Sequence, residues 1–142
     1  MSSADPQRTL SASSPCPCGS GETLGACCGR YVNGGEAAPD PVRLMRSRYA
    51  AYVLGAEAYL LATWDPRKRP RRIFEPGETP VRWRSLEILG HALSKNGRRA
   101  TVTFRAVGEG ADGAFAMTEK SRFEFAAGRW RYVDGDLQVK PL

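Results

Sequence analysis

Four cysteines near the amino terminus are the residues whose types and spacing most clearly suggest chemistry. The segment reads C-P-C-G-S-G-E-T-L-G-A-C-C, so that Cys16 and Cys18 form one pair and Cys27 and Cys28 form another. The rest of the chain contains no cysteine. Disulfides normally join distant parts of a small secreted fold, whereas these thiols could staple only their own loop. In a reducing compartment, four clustered thiols indicate a metal site.

Zinc accepts four thiolates in a tetrahedron, and such a site is structural because no position is left for water or substrate. Glycines between the pairs permit the tight turns that would bring the pairs together. The spacing is unusual, because most zinc modules separate paired cysteines by two to four residues. A redox pair and a softer ion such as Cu(I) therefore stay open as alternatives. Because the segment is too short for a core, metal should supply most of its folding free energy.

Length and composition bound the fold and the compartment. The 142 residues suffice for one domain with a small extra module, and 42% hydrophobic residues argue against disorder along the whole chain. Residues 1–14 are rich in Ser, Ala and Pro and are predicted to be disordered. No stretch is apolar enough for a spanning helix, and no signal sequence is recognisable, so a cytoplasmic protein is expected. A net charge of +6 favours an anionic partner or simple solubility.

Two helices are predicted after a linker over residues 31–40, which contains Asn33-Gly34-Gly35 and Pro39. Asp40 is a good N-cap, Pro41 suits the first helical position, and Gly55 is a plausible terminator. Apolar residues at helical spacing between them would face a core. A second, shorter helix is predicted over residues 56–64.

A basic loop follows, in which five of the six residues 67–72 are Lys or Arg. Such a loop could bind the phosphates of a nucleic acid, although it is more often a solvated connection. From residue 81 the hydrophobic period changes to two. Short connections then predict an antiparallel meander whose last strand covers residues 129–133. Two helices before a curved antiparallel sheet predict an α+β fold with the helices packed on one sheet face.

The cysteine segment resembles the SEC-C motif, the short zinc-binding tail of the bacterial translocation ATPase SecA. That motif reads C-x-C-x-S-G, then a short stretch, then C-C or C-H, and Ser20-Gly21 and both cysteine pairs fit it position by position. The resemblance implies a zinc-binding module over residues 15–31. Its implied ligands are Cys16, Cys18, Cys27 and Cys28.

From about Cys16 to Asp136 the chain resembles the bacterial YchJ family. Beyond the cysteines, the resemblance lies in A-P-D-P at residues 38–41, L-M-R-S-R-Y at 44–49 and S-R-F at 121–123. It implies that residues 38–137 form a nuclear transport factor 2-like domain, a cone of helices on a bent sheet with a cavity. Many members carry a second SEC-C module at the carboxyl terminus. This sequence ends without one, so no function that needs paired modules is expected.

The first functional hypothesis is a non-enzymatic binding protein whose zinc module docks on a protein or ribosomal partner, as the SEC-C tail of SecA does. No catalytic constellation is apparent in the sequence. The single histidine, His91, falls near a predicted strand end, and no Gly-rich phosphate loop joins a strand to a helix. An enzyme is therefore the less favoured interpretation.

The second hypothesis is small-molecule binding or catalysis in the cavity of the α+β domain. Its candidate residues are Arg46, Arg48, Trp64, Arg122 and Asp134. Arginines beside a tryptophan could hold a carboxylate or phosphate bidentately, or they could form structural ion pairs with Asp134 or Asp136. A third hypothesis is the handling of a thiophilic metal such as Cu(I), which would exchange in use.

Overall fold

The structure is a computed structural model that describes residues 9–142. Within this range, three helices precede a four-stranded sheet. The elements are α1 (Gly29–Val32), α2 (Pro41–Leu54), α3 (Glu57–Ala62), β1 (Arg82–Leu93), β2 (Arg99–Gly110), β3 (Gly113–Ala126) and β4 (Arg129–Pro141). Among the described residues, no helix has both the length and the apolar character needed to cross a membrane.

The sheet is an antiparallel meander with the strand order β1-β2-β3-β4, and the helices pack on one of its faces. The predicted α+β class is therefore confirmed. Along β2, Val102 and Phe104 are buried while the intervening Thr103 is only partly covered, as the period of two requires. The last strand is longer than predicted, because its ladder with β3 continues to Pro141. A register shift near Phe123 interrupts the alternation on which the prediction depended.

Helix α2 is the central helix, and both of its predicted ends are confirmed. The Asp40 side chain accepts a hydrogen bond from the backbone N–H of Arg43 at 2.7 Å, and Pro41 occupies the first turn. At the other end, Gly55 takes a left-handed conformation with φ of 71°, which glycine adopts without strain. Most of the side chains between these caps are buried, because the sheet covers one side of α2 and the cysteine segment covers another.

The amino-terminal segment is packed more closely than the sequence indicates. Tyr31, which was assigned to a linker, is buried within α1, and the helix is too short to leave a sequence signal. Part of the segment predicted to be disordered, residues 1–8, lies outside the described residues. The carbonyls of Ala12 and Ser14, by contrast, accept backbone hydrogen bonds from Gly25 and Leu24.

One contiguous hydrophobic core joins the cysteine segment to the sheet. Its buried members are Cys16, Cys18, Leu24, Cys28, Leu44, Met45, Tyr49, Ala50, Val53, Ala100, Val102, Phe104, Ala106 and Phe123. Residues from both predicted parts of the chain thus share one interior. The cysteine segment is therefore held against α2 and does not hang free on a linker.

The basic loop makes several ion pairs within the chain. Arg67 contacts both Asp65 and Glu124, at 2.6 and 2.8 Å, and Lys68 lies 3.8 Å from Asp134. The hydrogen-bonded guanidinium of Arg67 lowers the pKa of Asp65 to about 2. These contacts favour the interpretation of this loop as a solvated connection.

Candidate metal centre

The four cysteine sulfurs lie together, all within 4.8 Å of one another. The Sγ atoms of Cys18 and Cys27 are 3.7 Å apart, and those of Cys27 and Cys28 are 4.0 Å apart. A disulfide needs about 2.05 Å, so these are free thiols. A tetrahedral zinc centre, with metal–sulfur bonds of about 2.3 Å, separates its sulfurs by about 3.8 Å. The donor set and its spacing therefore fit a tetrathiolate metal ion such as zinc.

Two tight turns bring the cysteine pairs together. In the first, the N–H of Gly19 donates to the carbonyl of Cys16 at 3.1 Å, and Gly19 has a φ of 82° that favours glycine. In the second, the N–H of Cys27 donates to the carbonyl of Leu24 at 3.1 Å. Cys28 then occupies the N-cap position of α1. The helix thus begins at a ligand position, which fixes the direction of the adjacent cysteine pair.

Contacts among the thiols shift their pKa values in opposite directions. Hydrogen bonds from Cys16 and Cys28 lower the pKa of the Cys18 thiol, whereas hydrogen bonding to Cys18 raises the pKa of Cys16 to about 11. The same contacts raise the pKa of Cys28. Deprotonation is therefore easiest at Cys18, and a metal ion bound by all four sulfurs would displace the thiol protons.

Two neighbouring side chains donate hydrogen bonds to the cysteine residues. The hydroxyl of Ser20 donates to Sγ of Cys27 at 3.2 Å, and Nη1 of Arg46 donates to the carbonyl of Cys18 at 3.1 Å. Four thiolates around a divalent ion carry a net charge of about −2, so a nearby guanidinium is favourable there. Arg46 thus extends from α2 to the cysteine segment and helps to position it.

A second candidate site is a cavity of about 510 Å³ between α2, the α3–β1 connection and the sheet. Of the residues predicted to line it, Arg48, Trp64 and Asp134 do so. Contrary to expectation, Arg46 and Arg122 lie outside it. Arg46 lies on another side of α2, facing Cys18. Arg122 lies on the outer face of β3 and pairs with Asp134 and Asp136, which was the alternative role considered for it.

Two protein-family models match the chain. Residues 40–135 match the middle, nuclear transport factor 2-like domain of YchJ, and residues 13–30 match the SEC-C motif. The chain belongs to the YchJ family. The predicted resemblance and the nuclear transport factor 2-like fold are thereby confirmed, and all four cysteines fall within the SEC-C match.

Relatives and solved structures cover most of the chain. A UPF0225 protein of Streptomyces coelicolor is 48% identical over 87% of this chain and 95% of its own length. Another, of Methylibium petroleiphilum, is 44% identical over 87% of this chain and 88% of its own length. The solution structure of a SEC-C motif containing protein from Rhodopseudomonas palustris is 35% identical, with a TM-score of 0.72 over 85% of this chain and 96% of that one.

A crystal structure of a SEC-C motif containing protein from Psychrobacter arcticus is also similar. It is 28% identical, with a TM-score of 0.70 over 87% of this chain and 82% of that one. These similarities extend across the SEC-C segment and the nuclear transport factor 2-like domain together.

Sequence reasoning missed two polar residues in the cavity of the nuclear transport factor 2-like domain, Glu119 and Tyr132. Glu119 lines the cavity, and its Oε2 accepts hydrogen bonds from the hydroxyls of Ser121 and Tyr132. The available signal was a carboxylate on the apolar face of β3, between Met117 and Phe123. His91, by contrast, is exposed on β1 and lines no part of this cavity.

Replacing Gly29 in the SEC-C module should destabilise the protein. A Cβ at this position would lie 2.6 Å from the carbonyl oxygen of Leu24, a backbone atom that cannot rotate away. For Gly29→Ala we expect a loss of about 1–3 kcal/mol in the free energy of unfolding, measured by urea denaturation of the metal-loaded protein. Gly90→Ala is the control, because a Cβ at Gly90 meets no atom within 4 Å. Equal stability of the two variants would contradict this account of Gly29.

Proposed function

We propose that this chain is a non-enzymatic binding protein in which one structural zinc ion holds the SEC-C module against the nuclear transport factor 2-like domain. The observation that carries this proposal is the cluster of four sulfurs at the spacing of a tetrathiolate centre. Four protein ligands complete the coordination of zinc, so no position is left for a substrate or an activated water. The ligands would be Cys16, Cys18, Cys27 and Cys28.

Burial of the sulfurs favours a resident ion over one that exchanges. Cys16, Cys18 and Cys28 are 5%, 0% and 1% exposed, and they belong to the hydrophobic core. A protein that hands a thiophilic metal to a partner must let another ligand reach the ion. Only Cys27 is partly exposed, so Cu(I) handling is the less favoured function.

The surface beside the metal centre supports docking to a protein or ribosomal partner. A groove of about 460 Å³ runs along Cys27 and Cys28 and is lined by Arg30, Arg43 and Tyr31 among others. Arginine is enriched among the residues that dominate binding energy at protein interfaces. Because zinc fixes the backbone on one side of this groove, docking would depend on the metal.

The basic loop supports a nucleic-acid partner less well. Arg67 is held by two carboxylates, Asp65 at 2.6 Å and Glu124 at 2.8 Å. A phosphate would have to compete with these carboxylates for the same cation. In the groove, by contrast, Arg43 lies 3.7 Å from a single carboxylate, that of Asp40. Nucleic-acid binding through residues 67–72 is therefore the second choice of partner.

The test combines metal stoichiometry with docking. Protein purified without added metal should contain about one zinc ion per chain, and the double variant Cys27→Ser/Cys28→Ser should contain none. Zinc-loaded full-length chain should then sediment with purified ribosomes or cross-link to a defined partner protein. Arg43→Glu, with its zinc retained, should weaken that association.

The matched control is Arg71→Glu, which changes the same charge in the basic loop. It should leave the association unchanged. Copper, an absence of metal, or an oxidised cysteine pair in the purified protein would overturn the zinc proposal. Full zinc occupancy with equal binding by wild type and Arg43→Glu would overturn the docking groove alone.

A further inference from the structure

The cavity of the nuclear transport factor 2-like domain has the size and lining of a small-molecule site. Its volume of about 510 Å³ lies within the range of about 300–1,000 Å³ that is typical of ligand pockets. Most of its wall is apolar or aromatic, with a few polar groups. The aromatic and thioether side chains that surround the space include Met45, Tyr52, Trp64, Trp83, Phe104 and Met117.

Arg48 is a buried cation at the wall of this cavity. The residue is 3% exposed, and its Nη1 donates to the carbonyl of Leu60 and to the hydroxyl of Thr63. Its guanidinium carbon lies 5.1 Å from the ring centroid of Trp64 and 4.6 Å from that of Tyr132. The guanidinium is thus held by two hydrogen bonds and two aromatic rings, so its orientation is fixed.

Arg48 makes no direct ion pair within the part of the chain that the structure describes. None of the carboxylates of residues 9–142 lies within 4.0 Å of it, and neither Nε nor Nη2 has a hydrogen-bond acceptor there. Burial lowers the pKa of Arg48, as expected for a cation removed from water. Buried charges are normally paired, because leaving one unpaired is costly. The free Nε and Nη2 atoms form the edge of a guanidinium that holds a carboxylate bidentately.

Glu119 supplies the opposite charge in the same cavity and partly offsets the effect of burial on the pKa of Arg48, but it forms no direct ion pair with it. Its Oε2 is held by Ser121 and by the hydroxyl of Tyr132, whereas Oε1 has no hydrogen-bond donor among the described residues. Gly135 makes room for this carboxylate, since a Cβ there would lie 2.6 Å from Oε2. Tyr132 therefore separates the two charges, with its ring against Arg48 and its hydroxyl on Glu119.

We propose that this cavity binds a small aromatic carboxylic acid that also carries a hydrogen-bond donor. The carboxylate lies on Nε and Nη2 of Arg48, the aromatic body lies against Trp64 and Trp83, and the donor reaches Oε1 of Glu119. This site contains none of the cysteines and none of the docking-groove residues. Its failure would therefore leave the proposed function untouched.

The first test is a matched set of three probes with the zinc-loaded full-length protein, by isothermal titration calorimetry. The probes are 6-hydroxy-2-naphthoate, 2-naphthoate without the donor, and 2-naphthol without the carboxylate. We expect 6-hydroxy-2-naphthoate to bind, and 2-naphthol to bind at least about tenfold more weakly, because a charge-assisted bidentate contact is lost. 2-Naphthoate should fall between them. Equal affinities of 6-hydroxy-2-naphthoate and 2-naphthol, or no binding of either, would overturn the proposal.

Two variants test whether the probes bind in the cavity. Arg48→Gln should lower the affinity for 6-hydroxy-2-naphthoate toward that of 2-naphthol, while Arg98→Gln, which removes an exposed arginine of the β1–β2 turn, should not change it. Met117→Trp places a larger ring in the cavity, where the aromatic body of the probe would lie, but keeps Arg48, so it should weaken binding of all three probes. This second variant decides the matter if Arg48→Gln does not fold. Unchanged binding in folded Met117→Trp would overturn the proposed site.

Discussion

Removing the metal should unfold the SEC-C module and weaken the rest of the chain. The module has no core separate from the one it shares with α2 and the sheet, so the proposed zinc ion would supply much of its folding free energy. Once it unfolds, Leu24 and Tyr31 leave the interior, and each large apolar side chain contributes about 1.5–3 kcal/mol through burial. We therefore expect a strong zinc chelator to lower the melting temperature by about 10 °C or more, as measured by calorimetry.

Hydrogen exchange, measured on the same chelated protein, distinguishes unfolding of the module from unfolding of the sheet. The amide of Leu24, which donates to Ser14, should lose its protection on chelation, whereas amides in the centre of β2 and β3 should keep theirs. The variant Cys27→Ser/Cys28→Ser is the control, because it should resemble the chelated protein and no longer respond to chelator. Retained protection of Leu24 in metal-free protein would show that core packing alone folds the module.

Shortening one side chain of the SEC-C module should destabilise the whole molecule. Leu24 is 1% exposed and belongs to the core that it shares with Leu44 and Met45. Leu24→Ala would leave a cavity there, and such changes lower the free energy of unfolding by about 2–5 kcal/mol. All three tryptophans lie at or beyond residue 64, in the nuclear transport factor 2-like domain. Urea denaturation followed by tryptophan fluorescence therefore reports on the domain that carries no mutation.

The matched control is the same change at an exposed position. Leu89 on β1 is 51% exposed, so Leu89→Ala should alter the stability by no more than about 0.5 kcal/mol. A tryptophan transition that is unmoved by Leu24→Ala would mean that the module and the domain unfold independently. The two-part arrangement expected from the sequence would then describe the energetics better than the shared core does.

The shared core would give the proposed zinc ion a role beyond its own loop. Arg46 connects α2 to the carbonyl of Cys18, while Arg48, two residues along the same helix, lines the cavity. Helix α2 therefore contributes Arg46, which contacts the candidate metal centre, and Arg48, which lines the candidate ligand site. Loss of zinc is expected to disturb the cavity through α2, which the probe titrations can measure in chelated protein.

Local patterns in the sequence predicted the elements well where a short-range rule fixes them. Asp40, Pro41 and Gly55 mark the ends of α2, because capping and left-handed turns depend on the residue at that position alone. The alternation along β2 predicted its buried face, because successive side chains of a strand point to opposite faces of the sheet. The four cysteines were sufficient to indicate a metal site, since nearby ligands meet through local turns.

The polar residues of the cavity were harder to predict. Arg46 and Arg48 are two positions apart on one helix and therefore face different directions, which the sequence could not assign to a module or to a cavity. Glu119 was overlooked as a site residue because its placement in the cavity depends on contacts with Tyr132 and Gly135, which belong to the neighbouring strand. The register between β3 and β4 determines which residues lie beside Glu119. Because this register shifts beside Phe123, simple alternation along the sequence does not predict those neighbours.

By itself, the amino-acid sequence determined the cysteine cluster, the α+β class, the main helix with its caps and the membership of a family. These depend on contacts between residues close in the chain, or on motifs that persist among relatives. Only the tertiary structure decided that Leu24 and Cys18 share an interior with the sheet, and that Arg48 lines a cavity with no direct ion pair. Long-range packing and desolvation create those features, and neither is encoded in the spacing of any one segment.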